Sequence, residues 1–144
     1  TSASVNDLDR YPRGDKALAH VFVDRRGIFR VDKDFGEPWR ATKRESHIIG
    51  LPAKGLFLHI ELVQPRRSDA GGIEALAPNP GFTPAQYETL AILYVVASRR
   101  AGTWLIPAFH NRVDAGIPDA HDDPQRFEIT RFDAAITAAL GMLR

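Results

Sequence analysis

The sequence contains no cysteine among its 144 residues. This absence excludes disulfide bonds and a cysteine nucleophile, so a metal site would have to use histidine and carboxylate ligands. No apolar run approaches the roughly 18 residues that a membrane-spanning helix needs. Charge of one sign is not in excess, because 19 lysines and arginines face 18 acidic residues and the net charge is +1. We therefore expect neither nucleic acid nor a membrane surface as a partner.

The rest of the composition is typical of a folded domain. Hydrophobic residues make up 44% and charged residues 26% of the chain, which is ordinary for globular proteins. A chain of this length suits one domain with one core, so we interpret residues 1–144 as a single domain. The first residue is threonine rather than methionine, so a targeting segment can have been removed. Periplasmic, secreted and cytoplasmic locations therefore all stay open.

Short apolar segments predict two strands near the start of the chain. Residues 19–23 and 28–31 flank a turn, and this pattern predicts a β-hairpin in which Gly27 takes a positive φ. Farther along, residues 104–109 predict another strand. His110 follows that strand directly, and strand ends are the usual place for site residues in an open α/β sheet.

Residues 56–63 give the clearest strand pattern. They are apolar except for His59 and Glu61, which predicts a central strand covered on both faces. The two polar side chains are two positions apart and share one face of that strand. A carboxylate in such a run is expected to have an ion-pair or hydrogen-bond partner or a functional role, because burying it unpaired is costly. Residues 64–82 follow as a long loop, which is either a rim over a site or surface decoration.

Two helices are predicted in the second half. Thr83, Pro84 and Gln86 form a capping box with proline at the first helical position, and Gly102 marks the C-terminal end. A looser capping pattern at Thr130 opens a closing helix. One face of the closing helix carries Phe132, Ile136, Ala139, Leu140 and Leu143. Strands and helices interleave, which indicates an α/β fold with a single mixed sheet flanked by helices.

The candidates for chemistry are five histidines and three carboxylates. They are His20, His47, His59, His110, His121, Glu61, Asp122 and Asp123. A lone histidine near a strand is usually structural, and Asp122-Asp123-Pro124 also fits a solvated turn. The combination is more informative than its members, because the loop after His110 can bring His121 and Asp123 back toward it.

This set suits a catalytic zinc ion. Zinc needs about three protein ligands and an open position for water, and the bound water becomes a nucleophile near neutral pH. Glu61 would accept the water's proton and His121 would stabilise the oxyanion. Neither a Gly-x-Ser-x-Gly elbow nor a phosphate-binding loop signature is present.

The order of four segments resembles the zinc-dependent N-acetylmuramoyl-L-alanine amidases, a family that includes phage lysins and the peptidoglycan recognition proteins. Residues 18–27 look like the family's Ser-Ala-His-Tyr-x-Ile-Asp-x-x-Gly hairpin, and residues 58–63 like its Ile-Gly-Ile-Glu-Leu strand. Residues 82–87 look like its Phe-Thr-x-x-Gln helix start. Residues 109–124 look like its Gly-His-Arg-Asp segment running to Lys-x-Asp-Pro. The resemblance covers most of the chain from His20 onward.

This resemblance implies roles for four residues. His110 and Asp123 would be zinc ligands, and Glu61 would be the general base that activates the water. His121 stands two positions before the aspartate, where many members have a lysine that stabilises the transition state. His20 matches a recurrent histidine, which we interpret as structural.

The resemblance also implies a third ligand that the printed chain does not contain. In the family, a histidine ends the first strand and is followed by small hydroxyl residues and alanine. The chain opens Thr1-Ser2-Ala3, which looks like the residues after that histidine. We therefore expect the histidine and one core strand just before Thr1.

Three functions remain open on the sequence. The first is zinc-dependent hydrolysis of the amide between N-acetylmuramic acid and L-alanine in peptidoglycan or muropeptides. The second is a peptidoglycan-binding module that keeps the groove without the chemistry. The third is an α/β domain without a metal. An intact His–His–Asp ligand set with Glu61 favours the enzyme, whereas a permanently absent first histidine favours the binding module.

Overall fold

The molecule is described by a computed structural model. The described residues are 8, 11, 13–39, 42, 44–45, 57–63, 67–68, 74–75, 81–118, 120, 123–124 and 126–143, with the backbone alone at 67–68 and 74–75.

A three-stranded mixed sheet forms around the predicted hairpin. Strand β1 (Val21–Val23) pairs antiparallel with β2 (Phe29–Val31) and parallel with β3 (Ile60–Leu62), so the strand order is β2-β1-β3. Gly27 turns the hairpin with a φ of 80°, a conformation that costs glycine little. The hairpin and the α/β class with a mixed sheet are therefore confirmed.

Three helices lie in the second half of the described chain: α1 (Pro84–Ala101), α2 (His110–Val113) and α3 (Ile129–Met142). The Thr83 side chain accepts the Gln86 amide and the Gln86 side chain accepts the Thr83 amide, so the predicted capping box is present. Gly102 ends α1 in the left-handed conformation, as predicted. In this part of the chain, no helix combines the length and apolarity that crossing a bilayer requires.

Helix α1 covers one face of the sheet and packs against α3. Val21 and Val23 of β1 contact Leu93 on that face, while Phe22 points to the opposite face and packs on Ala17 and Ala19. The contact between the two helices is built from Phe82, Tyr87, Ala91, Phe132 and Ala139. This core places the end of β3 beside the N-terminal half of α1.

Strand β3 differs from its prediction. It spans three residues rather than eight, its side chains are half-buried, and it lies at one edge of the three-stranded sheet rather than at its centre. An apolar run reports the character of the side chains and not the number of hydrogen-bonded neighbours, so it did not distinguish this edge position from a central one.

Three further predictions were wrong in detail. Residues 104–109 form no strand, because no described strand hydrogen-bonds to them. The predicted loop contains a small hairpin of β4 (Arg67–Ser68) and β5 (Glu74–Ala75). Helix α3 begins after Glu128 without a side-chain cap, so Thr130 lies inside the helix instead of capping it.

Candidate functional site

His110 begins the short helix α2 immediately after residues 104–109. Phe109 before it keeps an extended backbone, with φ −123° and ψ 141°. The Asp114 amide donates to the His110 carbonyl at 2.8 Å, which closes the helical turn behind the imidazole. Asp114 is fully buried, so the backbone that carries His110 is firmly anchored.

Asp123 returns to His110 through backbone contacts. The Asn111 amide donates to the Asp123 carbonyl at 2.8 Å, and the Asn111 side chain donates to the Pro124 carbonyl at 3.3 Å. The His110 Nδ1 atom lies 3.4 Å from Asp123 Oδ2. Both side chains keep about a quarter of their surface exposed, at 22% and 25%. The two residues predicted as ligands are therefore neighbours that solvent and small solutes reach.

The electrostatics of this pair favour a charged imidazole. The hydrogen bond that the His110 imidazole donates to Asp123 raises the pKa of His110 above its usual value, while partial burial opposes that rise. The negative charges of Asp123, Glu61 and Asp114 raise the pKa further. Three carboxylates therefore surround His110, which is the environment in which a divalent cation would replace the proton.

Glu61 lies on β3 opposite Phe22 of β1. It lines a cavity of about 1020 Å³ together with His110. It also lines a smaller cavity of about 110 Å³ together with Asp123. The structure thus brings together His110, Asp123 and Glu61, although 62 positions separate the first and last of these in the sequence.

The donor types of the pair suit zinc, which binds imidazole nitrogen and carboxylate oxygen when cysteine is absent. Within the described ranges, however, no group of three histidine, aspartate or glutamate side chains is placed to hold a metal ion. The described part of the chain therefore supplies two metal donors at this point and leaves the third to be identified.

A second cluster of titratable side chains is buried beside the same cavity. The His59 Nε2 atom lies 3.3 Å from Glu45 Oε2, and these side chains are 5% and 0% exposed. The imidazole of His59 also stacks on that of His20, with 5.6 Å between ring centroids. Burial lowers the pKa of His59 and the Glu45 charge only partly opposes this. His59 is therefore held neutral at neutral pH.

His20 has the hydrogen bonds of a structural histidine. Its Nδ1 accepts the His59 backbone amide at 3.1 Å, so Nδ1 carries no proton. Its Nε2 lies 2.9 Å from the Glu37 carbonyl and must donate to it. Both nitrogens are thereby committed to backbone groups, and His20 has no lone pair left for a metal.

Glu45 is the residue of this region that the sequence interpretation missed. Its carboxylate accepts the Thr42 amide, and the Thr42 hydroxyl accepts the Glu45 amide. This reciprocal pair is a capping box, and the Thr-x-x-Glu spacing of residues 42–45 was its available signal. The backbone amide of Arg44, in the same turn, donates a hydrogen bond to the Asp114 carboxylate. The turn therefore connects β3 with the helix that carries His110.

Three predicted candidates, His47, His121 and Asp122, lie outside the described residues. The role predicted for His121 therefore stays a prediction. Comparison of the chain with known protein families, curated proteins and solved structures finds no match.

Proposed function

We propose that this protein is a zinc-dependent N-acetylmuramoyl-L-alanine amidase with the peptidoglycan-recognition type of fold. The observation that carries the proposal is the convergence of His110 and Asp123 on one another with Glu61 beside them at a cavity. These are the residues that the motif resemblance selects as two ligands and a base. The motifs themselves say nothing about distance, so their proximity supports the proposal independently.

In this proposal His110 and Asp123 hold a zinc ion, which when bound lowers the pKa of its water and polarises the scissile carbonyl. His110 Nδ1 and Asp123 Oδ2 lie 3.4 Å apart, a spacing at which two donor atoms can bind one zinc ion. The proposal also requires a third ligand, which the described residues do not supply. His121 remains the proposed group that stabilises the transition state.

Glu61 acts as the general base. Its carboxylate accepts a proton from the attacking water, and the water oxygen adds to the lactyl carbonyl of N-acetylmuramic acid. The proton then passes to the amine of L-alanine as the amide C–N bond breaks. Because Glu61 is only half-buried, it keeps the access to substrate and solvent that this proton transfer needs.

Substitution Glu61→Gln tests this role. We expect amide cleavage to fall about 10²–10⁴-fold, the usual contribution of general acid–base catalysis, while bound zinc stays the same. Release of stem peptide from muropeptides is measured by mass spectrometry, with zinc measured on the same samples. The matched control is Glu88→Gln, an equivalent change at an exposed position on α1, which leaves the rate unchanged. Full activity of Glu61→Gln would remove this residue from the mechanism.

One observation favours a second function, a peptidoglycan-binding module without catalysis. Among the described residues, no group of three histidine or carboxylate side chains is placed to hold a metal ion. If no histidine completes the site, the cavity would still bind a muropeptide. A protein that binds muropeptides tightly, holds no zinc and releases no peptide would establish this second function.

A further inference from the structure

Strand β2 lies at one edge of the described sheet, and β1 separates it from β3. The residues that flank β2, Ile28 and Asp32, hydrogen-bond through their backbones to the residues that flank β1. Because backbone groups alternate in direction along a strand, those of Phe29 and Val31 point away from β1. Their side chains are 51% and 56% exposed, so solvent reaches this edge of the sheet.

A stripe of α1 continues the exposed apolar surface of β2. Thr89 bonds to the hairpin turn, and Arg100 bonds to the segment that follows β2. Ile92 and Val96 lie between these two residues on the same face of the helix, and both are about half exposed. The exposed side chains of β2 lie on the same side of the sheet, because they are opposite the β1 valines that contact α1. This surface, the β2 patch, consists of Phe29, Val31, Ile92 and Val96.

The cationic side chains of this edge do not protect it from pairing with another strand. Natural edge strands are commonly protected by proline or by charged side chains that project from the edge. Strand β2 contains no proline. Arg30 is nearly buried, with its guanidinium bonded to Asp32 and placed over the Phe22 ring. Lys33 is buried with its ammonium group over the Trp39 ring. The side chains that β2 presents to solvent are therefore apolar.

The two ends of β2 carry exposed charges of opposite sign. Arg26, in the turn before the strand, is 73% exposed, and Asp34, after the strand, is 61% exposed. Each pairs within its own chain, with Asp24 and Arg100 respectively. Their exposure leaves access for a second ion of opposite sign. A partner that fits this edge therefore carries an acidic group where β2 begins and a basic group where β2 ends.

We propose that β2 pairs antiparallel with β2 of a second copy and joins two three-stranded sheets into one. The pairing is centred on Arg30, so Phe29 of each copy lies opposite Val31 of the other. Residues whose backbone groups point outward then face each other, as an antiparallel ladder requires. The same register brings Arg26 of each copy beside Asp34 of the other, because these residues stand four before and four after Arg30. Centring the pairing on either neighbour of Arg30 would displace these two charges by two residues.

This pairing is self-complementary, as a two-fold symmetric interface has to be. The symmetry axis is perpendicular to the joined sheet, so the two α1 helices lie on the same side of it. The two β2 patches therefore meet across the axis, and removing their apolar surface from water drives the association. Strand β3, which carries Glu61, lies at the other edge of each three-stranded sheet. The dimer thus leaves the candidate site accessible and does not depend on the proposed function.

Sedimentation equilibrium of the purified protein over a range of concentrations tests the dimer. We expect the average mass to rise with concentration from that of one chain toward that of two. Val31→Lys places a charge in the β2 patch and should weaken the association at least about tenfold. The matched control is Ile129→Lys, at a similarly exposed position on α3, which should leave the association unchanged. The mass of a single chain at every concentration up to about 1 mM, or equal effects of the two variants, would overturn the proposal.

Charge reversal tests the complementarity of the strand ends. Arg26→Glu gives both ends of β2 a negative charge, and Asp34→Lys gives both a positive charge. Each variant alone should self-associate about tenfold more weakly than wild type, because like charges then meet at both ends. An equimolar mixture should recover the association, because opposite charges then meet. Effects within a single chain are the same alone and in the mixture, so they cannot produce this recovery. A mixture that associates no better than its components would contradict the proposal.

Disulfide cross-linking tests the register, and the chain has no cysteine to compete with introduced thiols. Phe29→Cys and Val31→Cys are oxidised separately and as a mixture. In the mixture the two thiols lie directly opposite each other. In either variant alone they lie on a diagonal, where the Cα atoms are too far apart for a disulfide. Covalent dimer should form at least about tenfold faster in the mixture. Equal rates in the three samples would overturn the proposed pairing.

Discussion

At the scale of single residues, the pair of His110 and Asp123 defines the site. The contact depends on Asn111, whose amide and side chain hold the returning loop at Asp123 and Pro124. The pKa of His110 is raised chiefly by the Asp123 hydrogen bond. The pair therefore binds a proton where the proposed function requires it to bind zinc, and the two compete.

Substitution Asp123→Asn tests this pairing in metal-free protein. The pKa of His110 should fall, because the substitution removes the negative charge of Asp123 and replaces a carboxylate acceptor with a weaker, neutral amide oxygen. An NMR titration of the imidazole in the presence of a chelator measures the change. The control is Asp34→Asn, which disrupts a surface pair with Arg100 and should leave the His110 titration where it was. An unchanged pKa in Asp123→Asn would show that the two side chains do not interact in solution.

The buried His59 makes stability depend on pH in a defined direction. Its pKa is lower in the folded state than its ordinary value of 6.5, so the unfolded chain binds more protons below that pH. Its contribution to stability is complete above 6.5 and is lost as pH falls toward the folded pKa. The raised pKa of His110 changes the stability with pH in the opposite direction. The contribution of His59 is therefore isolated by comparing the stability of wild type with that of a variant that lacks this imidazole.

We predict that wild type loses stability relative to His59→Gln as pH falls from about 7.5 to 5. Glutamine keeps a donor for Glu45 and does not titrate in this range. Urea unfolding of both proteins at each pH gives the difference in free energy of unfolding. A difference that stays constant over this range would show that His59 is not held neutral by the fold.

At the scale of elements, the hairpin turn is locked against α1. A Cβ atom on Gly27 would meet the Ala85 carbonyl oxygen at 2.7 Å and Thr89 Oγ1 at 2.9 Å. The Thr89 hydroxyl also donates to the Gly27 carbonyl at 2.7 Å. Because β1 carries the hairpin on one side and β3 on the other, this contact orients the sheet, and with it Glu61, on the helix.

Two glycine substitutions separate backbone strain from this contact. Gly102→Ala should destabilise the protein by about 1–2 kcal/mol, because the φ of 69° strains a residue with a side chain. A Cβ atom at this position would contact no other atom, so the cost is backbone strain alone. Gly27→Ala carries a similar strain at φ 80° and adds an overpacked contact of about 1–3 kcal/mol. Chemical unfolding of both variants measures the costs. Equal costs would show that the turn does not press against α1 as described.

Local signals in the sequence predicted these elements unevenly. The capping box at Thr83 and the turn at Gly27 were predictable, because each depends on residues close in sequence. The strand predicted at residues 104–109 does not form in the structure. A segment becomes a strand only when it hydrogen-bonds to a neighbouring strand, and local composition does not show whether such a neighbour exists. The contact between Glu45 and His59 joins a capping turn to a strand, and no short-range pattern encodes that contact.

At the scale of the whole molecule, the same limit applies to the site. The sequence offered His110, Asp123 and Glu61 as separate motifs, and the α1–α3 core together with the returning loop brings them to one cavity. The spacing of these three residues along the sequence does not give the distances between them in the folded chain. The third zinc ligand and His121 stay predictions, and so does the amidase activity, which depends on a complete ligand set.

Metal analysis of the purified protein, combined with muropeptide digestion, tests the proposed function most directly. We predict one zinc ion per chain, together with stem peptides released with a free L-alanine amine. Both should be lost on removal of zinc by a chelator, and both should return when zinc is restored. Purified protein that holds no zinc and releases no stem peptide would contradict the account.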